Sequence, residues 1–336
     1  MDLELLWERA RIIRQTRDFF DRRNYLETDT PLLSPDLIPE TCLEVFETAY
    51  LAPEGSRRPK QPLWLIPSPE IWMKKLIAEH RTNLYQICKC FRNGESTGRL
   101  HSPEFTMLEY YTMNVDYKDS LLLTEELFAA LLSSPGNTQG ASGMILPFTR
   151  ITMAELFSRW AGFDLYETTD QGPQAMAAEA RRLGLDPPPG LDDAALYDLI
   201  FIHTVEPNLP LGRPLAVMDY PAFVPCLAKK SPGGRTMERW ELYWNGVELA
   251  NCYSEETDPE AVQRYFAAEG KIKNRESLVP HTIDENYWKT FLPRTDISGT
   301  ERPFPRCSGV ALGLDRLIMA LLGRSTIDSA LPFPMG

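Results

Sequence analysis

FRNGESTGRLHSPEFTMLEYY, Phe91 to Tyr111, decides the reading of this chain. Leu84 to Phe91 reads as a strand, and Arg92 to Ser102 as a polar loop rich in Gly and Ser. Glu104 to Met113 reads as the antiparallel return strand. Such a hairpin puts Arg92 at the end of one strand and Glu104, Phe105 and Glu109 on the other. An arginine fork suits a phosphate or carboxylate, and an aromatic beside it can stack on a base.

Two further clusters lie outward from this hairpin. Arg239 to Tyr253 alternates strongly enough for two strands meeting at Asn245-Gly246, a type I′ hairpin signal. It carries Glu241 and Glu248, with Glu255 following at the same interval. The spacing predicts that Glu241 and Glu248 meet as cross-strand neighbours, a pair suited to magnesium with phosphate oxygens. Near the C-terminus, GVALGLDRL (Gly309 to Leu317) runs from a strand into a helix. Small residues at Gly309, Ala311 and Gly313 leave one strand face bare, so that a ligand can approach the backbone. Arg316 at the helix start can reach phosphates. The first and third clusters together point to a nucleoside triphosphate. There is no Walker loop and no GxGxxG fingerprint, so binding must use other geometry.

The rest of the chain supplies a frame. Residues 4 to 24 read as an amphipathic helix with Leu6, Ile13 and Phe20 at heptad spacing. A hairpin follows, with arms Glu44 to Ala52 and Leu63 to Ile66 around PEGSRRPKQP. Ser68 is expected to cap the next helix, with Pro69 in its first position. SSPGNTQGASG, 133 to 143, reads as a flexible turn region. Residues 150 to 205 look mainly helical. SPGGR at 231 to 235 reads as an exposed loop. The pattern predicts an α+β fold with a mostly antiparallel sheet rather than alternating βαβ units. The expected organisation is one domain over 1–336 with a mainly helical insertion at about 133–220.

Composition narrows the function classes. The 336 residues include 35 basic and 47 acidic side chains, a net charge of −12, which argues against a broad basic nucleic-acid surface. No apolar run is long enough to span a membrane, and the N-terminus MDLELLWERARIIRQ lacks an apolar signal core. A cytoplasmic location is the expectation. The six cysteines show no CxxC pairing and read as reduced core thiols, with metal or redox chemistry as the lesser alternative. Cys88 and Cys90 would share a strand face.

Taken together, YLETDTP, FRN…RLHSPEFTMLEYY and GVALGLDRL resemble the three signature motifs of class II lysyl-tRNA synthetases, over nearly the whole chain. The resemblance implies the catalytic domain of that class, an antiparallel sheet flanked by helices, and a homodimer built on the first motif. It implies ATP and Mg2+. Arg92 would bind the α-phosphate and the substrate carboxylate, His101 would lie near the triphosphate, and Phe105 would stack on adenine. Arg316 would hold the γ-phosphate, and Glu241 and Glu248 would carry magnesium. Glu70 would bind the backbone-proximal amine. Glu109, Tyr111, Asn251 and Glu255 would grip a lysine side chain.

The first-motif helix begins almost at residue 4, so no N-terminal anticodon-binding domain is expected. The chain therefore looks more like the freestanding paralogues, the elongation factor P–(R)-β-lysine ligases. Ala311 and Ser68 match them better than the synthetases, and the extra methyl at Ala311 would reshape the amino-acid pocket, worth about 1–3 kcal/mol of specificity. Departures are also present. The second-motif loop is one residue longer, with Gly94 where a Glu is expected and Glu95 following as the residue to reach adenine. Cys252 and Tyr253 replace Gly and Phe beside the pocket.

The implied reaction is activation of (R)-β-lysine or lysine as an adenylate, then transfer to a lysine ε-amine of elongation factor P. The partners are then elongation factor P and a small lysine-type amino acid, with no stable tRNA or membrane binding expected. The alternatives are another acceptor, such as tRNA or a small amine, and a non-catalytic regulator derived from a synthetase.

Overall fold

Asp2 opens the first helix, α1 (Leu3–Asp21), by accepting from the backbone N–H groups of Glu4 and Leu5. A computed structural model describes residues 2–54, 60–134, 143–296 and 298–335. The stripe α1 buries is Leu5, Arg9, Ile12, Thr16, Phe19 and Phe20. Leu6 and Ile13 of the expected heptad seam are only half-buried. A straight helix turns every 3.6 residues, so the i, i+3, i+4 row faces the core rather than a strict seven-residue row. At its end, the Phe20 ring packs 4.9 Å from Tyr85, 4.8 Å from Tyr110 and 5.1 Å from Tyr25.

The chain divides into two compact units, Met1–Ser142 with Ser254–Gly336, and Gly143–Tyr253. In the first unit, α1 is followed by short strands β1 (Leu26–Glu27) and β2 (Leu33–Ser34), then β3 (Phe46–Tyr50) and β4 (Gln61–Leu65). The expected hairpin of β3 with β4 is present. Residues 55–59 of its turn, and 135–142 of the next expected turn region, lie outside the described residues.

Next come α2 (Glu70–His80), β5 (Leu84–Phe91), β6 (Glu104–Met113) and α3 (Tyr117–Leu132). The cap expected of Ser68 is absent. Pro69 occupies the N-cap position and the helix begins at Glu70. Ser68 thus stands one residue too early, and the Pro69 carbonyl accepts from the Trp72 and Met73 N–H groups, each at 3.0 Å.

The second unit holds β7 (Thr149–Thr152), the helices α4 (Met153–Leu156), α5 (Leu165–Thr169), α6 (Pro173–Arg182) and α7 (Asp193–Ile200), then β8 (Leu215–Pro221), β9 (Thr236–Trp244) and β10 (Val247–Ser254). Its core gathers Met153, Leu156, Phe157, Leu196, Tyr197 and Val217. The Phe157 and Tyr197 rings stack at 5.4 Å. Asn245 (φ 50°) and Gly246 (φ 75°) form the left-handed pair that a type I′ turn requires.

The chain returns to the first unit through α8 (Pro259–Glu276), a small ladder of β11 (Arg294–Thr295) with β12 (Glu301–Arg302), β13 (Cys307–Gly313) and α9 (Leu314–Leu321). In the first unit the strand order is β1-β5-β6-β13, and β2-β4-β3 form a separate small sheet. In the second the order is β10-β9-β8-β7. Only β1 with β5 and β7 with β8 pair in parallel among the registers described. This is the α+β, mostly antiparallel architecture expected. Among the described residues, no helix is long and apolar enough to cross a membrane.

A buried ion pair ties three elements of the first unit together. Arg9 on α1 bonds to the Asp315 carboxylate on α9 and to Thr106 Oγ1 at 3.0 Å. Asp315 Oδ2 in turn accepts from the Thr106 backbone N–H at 2.6 Å. The residues next to this knot in sequence are Phe105 and Arg316.

Candidate active site

One face of the first unit's sheet carries a cluster of buried charged side chains. Across β6 and β13, Tyr111 lies opposite Gly309, Glu109 opposite Ala311 and Met107 opposite Gly313. On β5, Gln86 lies opposite Glu109 and Cys90 opposite Phe105. At Gly309 the bare position of β13 is filled by the chain itself. A Cβ at Gly309 would sit 2.4 Å from both Glu255 Oε1 and Tyr111 Cε1. At Gly313 a Cβ would meet the Arg316 side chain at 3.6 Å, an ordinary van der Waals contact. Ala311 therefore supplies the one methyl among these three positions, directly opposite Glu109.

Glu109, Glu255 and Lys74 are all buried, at 2%, 3% and 1% exposure. Lys74 Nζ lies 2.5 Å from Glu70 Oε1, one helical turn earlier on α2, and 2.6 Å from Glu255 Oε2. The Tyr111 hydroxyl donates to Glu109 Oε1 at 2.7 Å, while the buried Glu109 Oε2 has no hydrogen-bond partner. Burial, then the Glu70 charge, push the Glu109 carboxyl well above the usual carboxylate range. Burial raises Glu255 to about 7 against the pull of Lys74. Burial alone would lower Lys74, but Glu255 and Glu70 outweigh it and hold the ammonium protonated well above the usual lysine range. A buried group of carboxyls with an unpartnered acceptor oxygen is suited to an ammonium group.

Beside it lies a cationic arm. The Arg92 guanidinium stands 5.3 Å from the centre of the Phe105 ring, and its buried Nε has no hydrogen-bond partner. Arg316 Nε donates to the Leu100 carbonyl at 3.2 Å, which anchors it to the loop between β5 and β6. His101 Nε2 is 3.9 Å from Glu95 Oε2. Its pKa is lowered by burial, then by the Arg316 charge, with Arg92 adding to the effect. Arg92, His101, Glu95 and Arg316 thus share one electrostatic neighbourhood, fitted to anionic phosphates. Cys88 and Cys90 do share a face, with sulfurs 3.8 Å apart.

The second unit presents its own polar face on the β9–β10 hairpin. Glu248 pairs with Tyr243, and Glu241 pairs with Asn251, so the two glutamates are not direct cross-strand neighbours. The two-residue turn fixes the register from its end of the hairpin, and that register sets Glu248 against Tyr243. A β-bulge between Glu248 and Ala250 adds one residue to β10. It brings Glu248 and Asn251, an odd number apart, onto the same face as Arg239, Glu241, Tyr243 and Tyr253.

On that face Arg239 bonds to Glu241 Oε1, and the Tyr243 hydroxyl donates to Glu241 Oε2 at 2.7 Å. Arg239 stands over the Tyr220 ring at 4.4 Å and the Tyr253 ring at 5.4 Å. Asn251 Nδ2 donates to the Tyr253 hydroxyl at 3.1 Å, and its buried Oδ1 has no hydrogen-bond partner. Glu241 and Glu248 both act on the Tyr243 phenol, raising its pKa after burial has done so first. Two hard carboxylates flanking one tyrosine fit the donor set of magnesium, which commonly takes one or two carboxylates and completes its shell with phosphate oxygens. Among the described residues, no cluster of three or more His, Cys, Asp or Glu side chains forms a metal cage.

Three residues of the first-unit site escape a reading by motif. Lys74 could have been found from its i, i+4 spacing to Glu70 on one helix. Glu40 lies within electrostatic reach of Glu70, Arg92 and Lys74, and burial raises its carboxyl to about 7. Tyr287, whose buried hydroxyl has no hydrogen-bond partner, faces Lys74, Glu70 and Glu255. No sequence pattern marks either of these two, since each arrives from a distant segment.

The family model described as "tRNA synthetases class II (D, K and N)" matches residues 3–336. The chain is 36% identical over 338 residues to the elongation factor P–(R)-beta-lysine ligase of Vibrio atlanticus (strain LGP32), covering 99% of this chain and 96% of that protein. The ligase of the same name from Vibrio cholerae serotype O1 is 34% identical, with 98% and 95% covered. That of Histophilus somni (strain 2336) is 32% identical, also with 98% and 95% covered. The chain belongs to the family of elongation factor P–(R)-β-lysine ligases, within the class II tRNA synthetases.

Proposed function

We propose that this protein activates (R)-β-lysine with ATP as an aminoacyl-adenylate and transfers the aminoacyl group to a lysine ε-amine of elongation factor P. The observation that carries this reading is the buried Glu109 Oε2, an unpartnered acceptor beside Glu70 and Glu255, in a pocket that favours ammonium groups. Glu109, Tyr111 and Glu255 receive the side-chain ammonium, and Glu70 takes the amine nearer the carboxylate. On the family pattern, Asn251 is a further residue assigned to the lysine side chain. Ala311 and Ser68 shape the pocket for the displaced amine of a β-amino acid.

In the first step the substrate carboxylate attacks the α-phosphate of ATP and pyrophosphate leaves. Arg92 draws the two anions together and offsets the charge that develops, and Arg316 holds the γ-phosphate. Phe105 stacks on adenine, Glu95 reaches its edge, and His101 lies along the phosphates. Glu241 and Glu248 would hold Mg2+, which would neutralise phosphate charge. In the second step the acceptor ε-amine attacks the adenylate carbonyl, an amide forms and AMP leaves. No side-chain nucleophile takes part. The active form is a homodimer in the cytoplasm.

The test is the intact mass of purified elongation factor P after incubation with this protein, ATP, magnesium and either lysine or (R)-β-lysine. A gain of one lysyl unit, faster with the β-isomer, is expected. Lysine-dependent ATP–pyrophosphate exchange without that gain would move the acceptor elsewhere. Absence of both would overturn the reading.

A further inference from the structure

Lys74 has no place in the reaction as derived, yet it is the most deeply buried charge of the pocket. Its ammonium touches two carboxylates from different segments, Glu70 at the start of α2 and Glu255 ahead of α8. A lysine on the surface makes ion pairs of little consequence. One this deeply buried must be held by its partners, and it holds them in return.

Resting on the proposed diamino-acid substrate, we propose that Lys74 is a positioning residue. Its ammonium, within 2.6 Å of a carboxylate oxygen of each, ties Glu70 to Glu255 and so sets how many substrate ammonium groups the site accepts. Once substrate ammonium groups draw Glu109 and Glu255 into their ionised forms, the three carboxylates Glu70, Glu109 and Glu255 stand against one internal ammonium and leave two negative charges for the substrate. Two is the number of ammonium groups on a diamino acid. A monoamino acid leaves one buried carboxylate unpaired, which is costly. Lys74 also occupies the gap between Glu70 and Glu255, so the open oxygen is on Glu109, and the incoming side-chain ammonium is aimed there.

The surroundings fix the direction of the pH effect. Besides each other, Lys74 and Glu255 face the carboxyls of Glu70, Glu109, Glu40 and Glu256, the phenols of Tyr111 and Tyr287, and the Cys307 thiol. Burial raises the two phenols and the thiol well above their usual ranges, so they stay neutral. Lys74 pulls the Glu255 pKa down. Removing it raises that carboxyl further, and substrate binding, which needs the carboxylate, then begins at higher pH.

The experiment is amino-acid-dependent ATP–pyrophosphate exchange against pH for the wild type, Lys74→Met and Lys74→Arg. Lys74→Met is expected to raise the KM for the diamino acid by about tenfold or more and to leave the KM for ATP within about twofold. Its acid limb in kcat/KM for the amino acid moves up by about one pH unit, while Lys74→Arg keeps the wild-type limb. A Lys74→Met enzyme with an unmoved acid limb and an unchanged amino-acid KM overturns the proposal. Should Lys74→Met not fold, the 15N ammonium signal of Lys74 in wild-type protein, assigned with Lys74→Arg, carries the test. That signal is expected to shift when the diamino acid is added, and indifference to it overturns the proposal. A wild type showing no exchange with any diamino acid defeats the functional reading itself, a result separate from either outcome for Lys74.

Discussion

Gly309 and Tyr111 stand opposite each other on paired strands with no space for a methyl group between them. The same missing Cβ gives room to Glu255 Oε1. One glycine thereby allows a phenol and a carboxylate from two other segments to converge on the Glu109 side of the pocket.

Gly309→Ala is expected to abolish lysine-dependent exchange while sparing ATP binding, because Arg92, Phe105 and Arg316 lie outside the clash. Overpacking of this kind costs about 1–3 kcal/mol of stability. Urea unfolding would read the stability, and calorimetry with ATP would read the retained nucleotide site. Unimpaired exchange in this variant would show that Tyr111 and Glu255 do not hold the substrate.

Glu109 and Glu255 make the empty protein sensitive to alkali. Their folded-state pKa values lie above the ordinary 4.5, with Glu255 at about 7. The folded chain then binds protons more tightly than the unfolded chain. Their favourable contribution is complete below 4.5 and fades as pH rises, through about 7 for Glu255. Glu109→Gln should lessen the loss of stability between about pH 5 and about pH 8, measured as urea midpoints.

An arriving ammonium favours the ionised carboxylates, so substrate binding near neutrality should release protons. Calorimetry in buffers with different ionisation heats measures that release. Proton uptake would contradict the assignment of these two carboxylates.

Arg316→Ala should eliminate ATP–pyrophosphate exchange with the fold intact. Arg316 is anchored by the Leu100 carbonyl and shares its electrostatic field with His101. Retained exchange would sink the assignment of this side chain to the triphosphate. Circular dichroism would check that the loss is chemical and not structural.

Arg9→Met would leave the Asp315 carboxylate, 1% exposed, without its cation. Breaking a buried pair on one side costs about 3–5 kcal/mol. The variant should unfold at markedly lower urea, and activity should fall as well, because Asp315 also fixes Thr106 beside Phe105. A midpoint within error of the wild type would show the pair to be dispensable.

Much of the site was legible because the motifs are local. Leu84–Phe91 and Glu104–Met113 stand as strands at the expected residues, with Arg92 leaving the first and Phe105 opening the second. The Asn245-Gly246 turn announced its own backbone geometry. Less legible were features that depend on a count of one residue or on distant segments. The heptad row of α1 was misplaced because periodicity names a helix more surely than it names its buried face. Ser68 failed as a cap because the helix begins one residue later. The pairing of Glu241 with Glu248 failed because the two-residue turn sets Glu248 against Tyr243, two residues short of Glu241. Glu40 and Tyr287 reach Glu70 and Lys74 across long stretches of chain, and such meetings are tertiary facts.

The bulge on β10 has one more consequence. A strand encodes its two faces by parity, and an added residue reverses the parity for everything beyond it. Asn251 and Tyr253 owe their side of the hairpin to that reversal. An unbulged hairpin that kept Leu249 would set Leu249 against Leu242 and carry Asn251 from Glu241 to Trp240, on the opposite face. Deleting Leu249 would instead restore plain alternation and leave Asn251 against Glu241. The chain thus stores part of its chemistry in a frame rather than in residue identities.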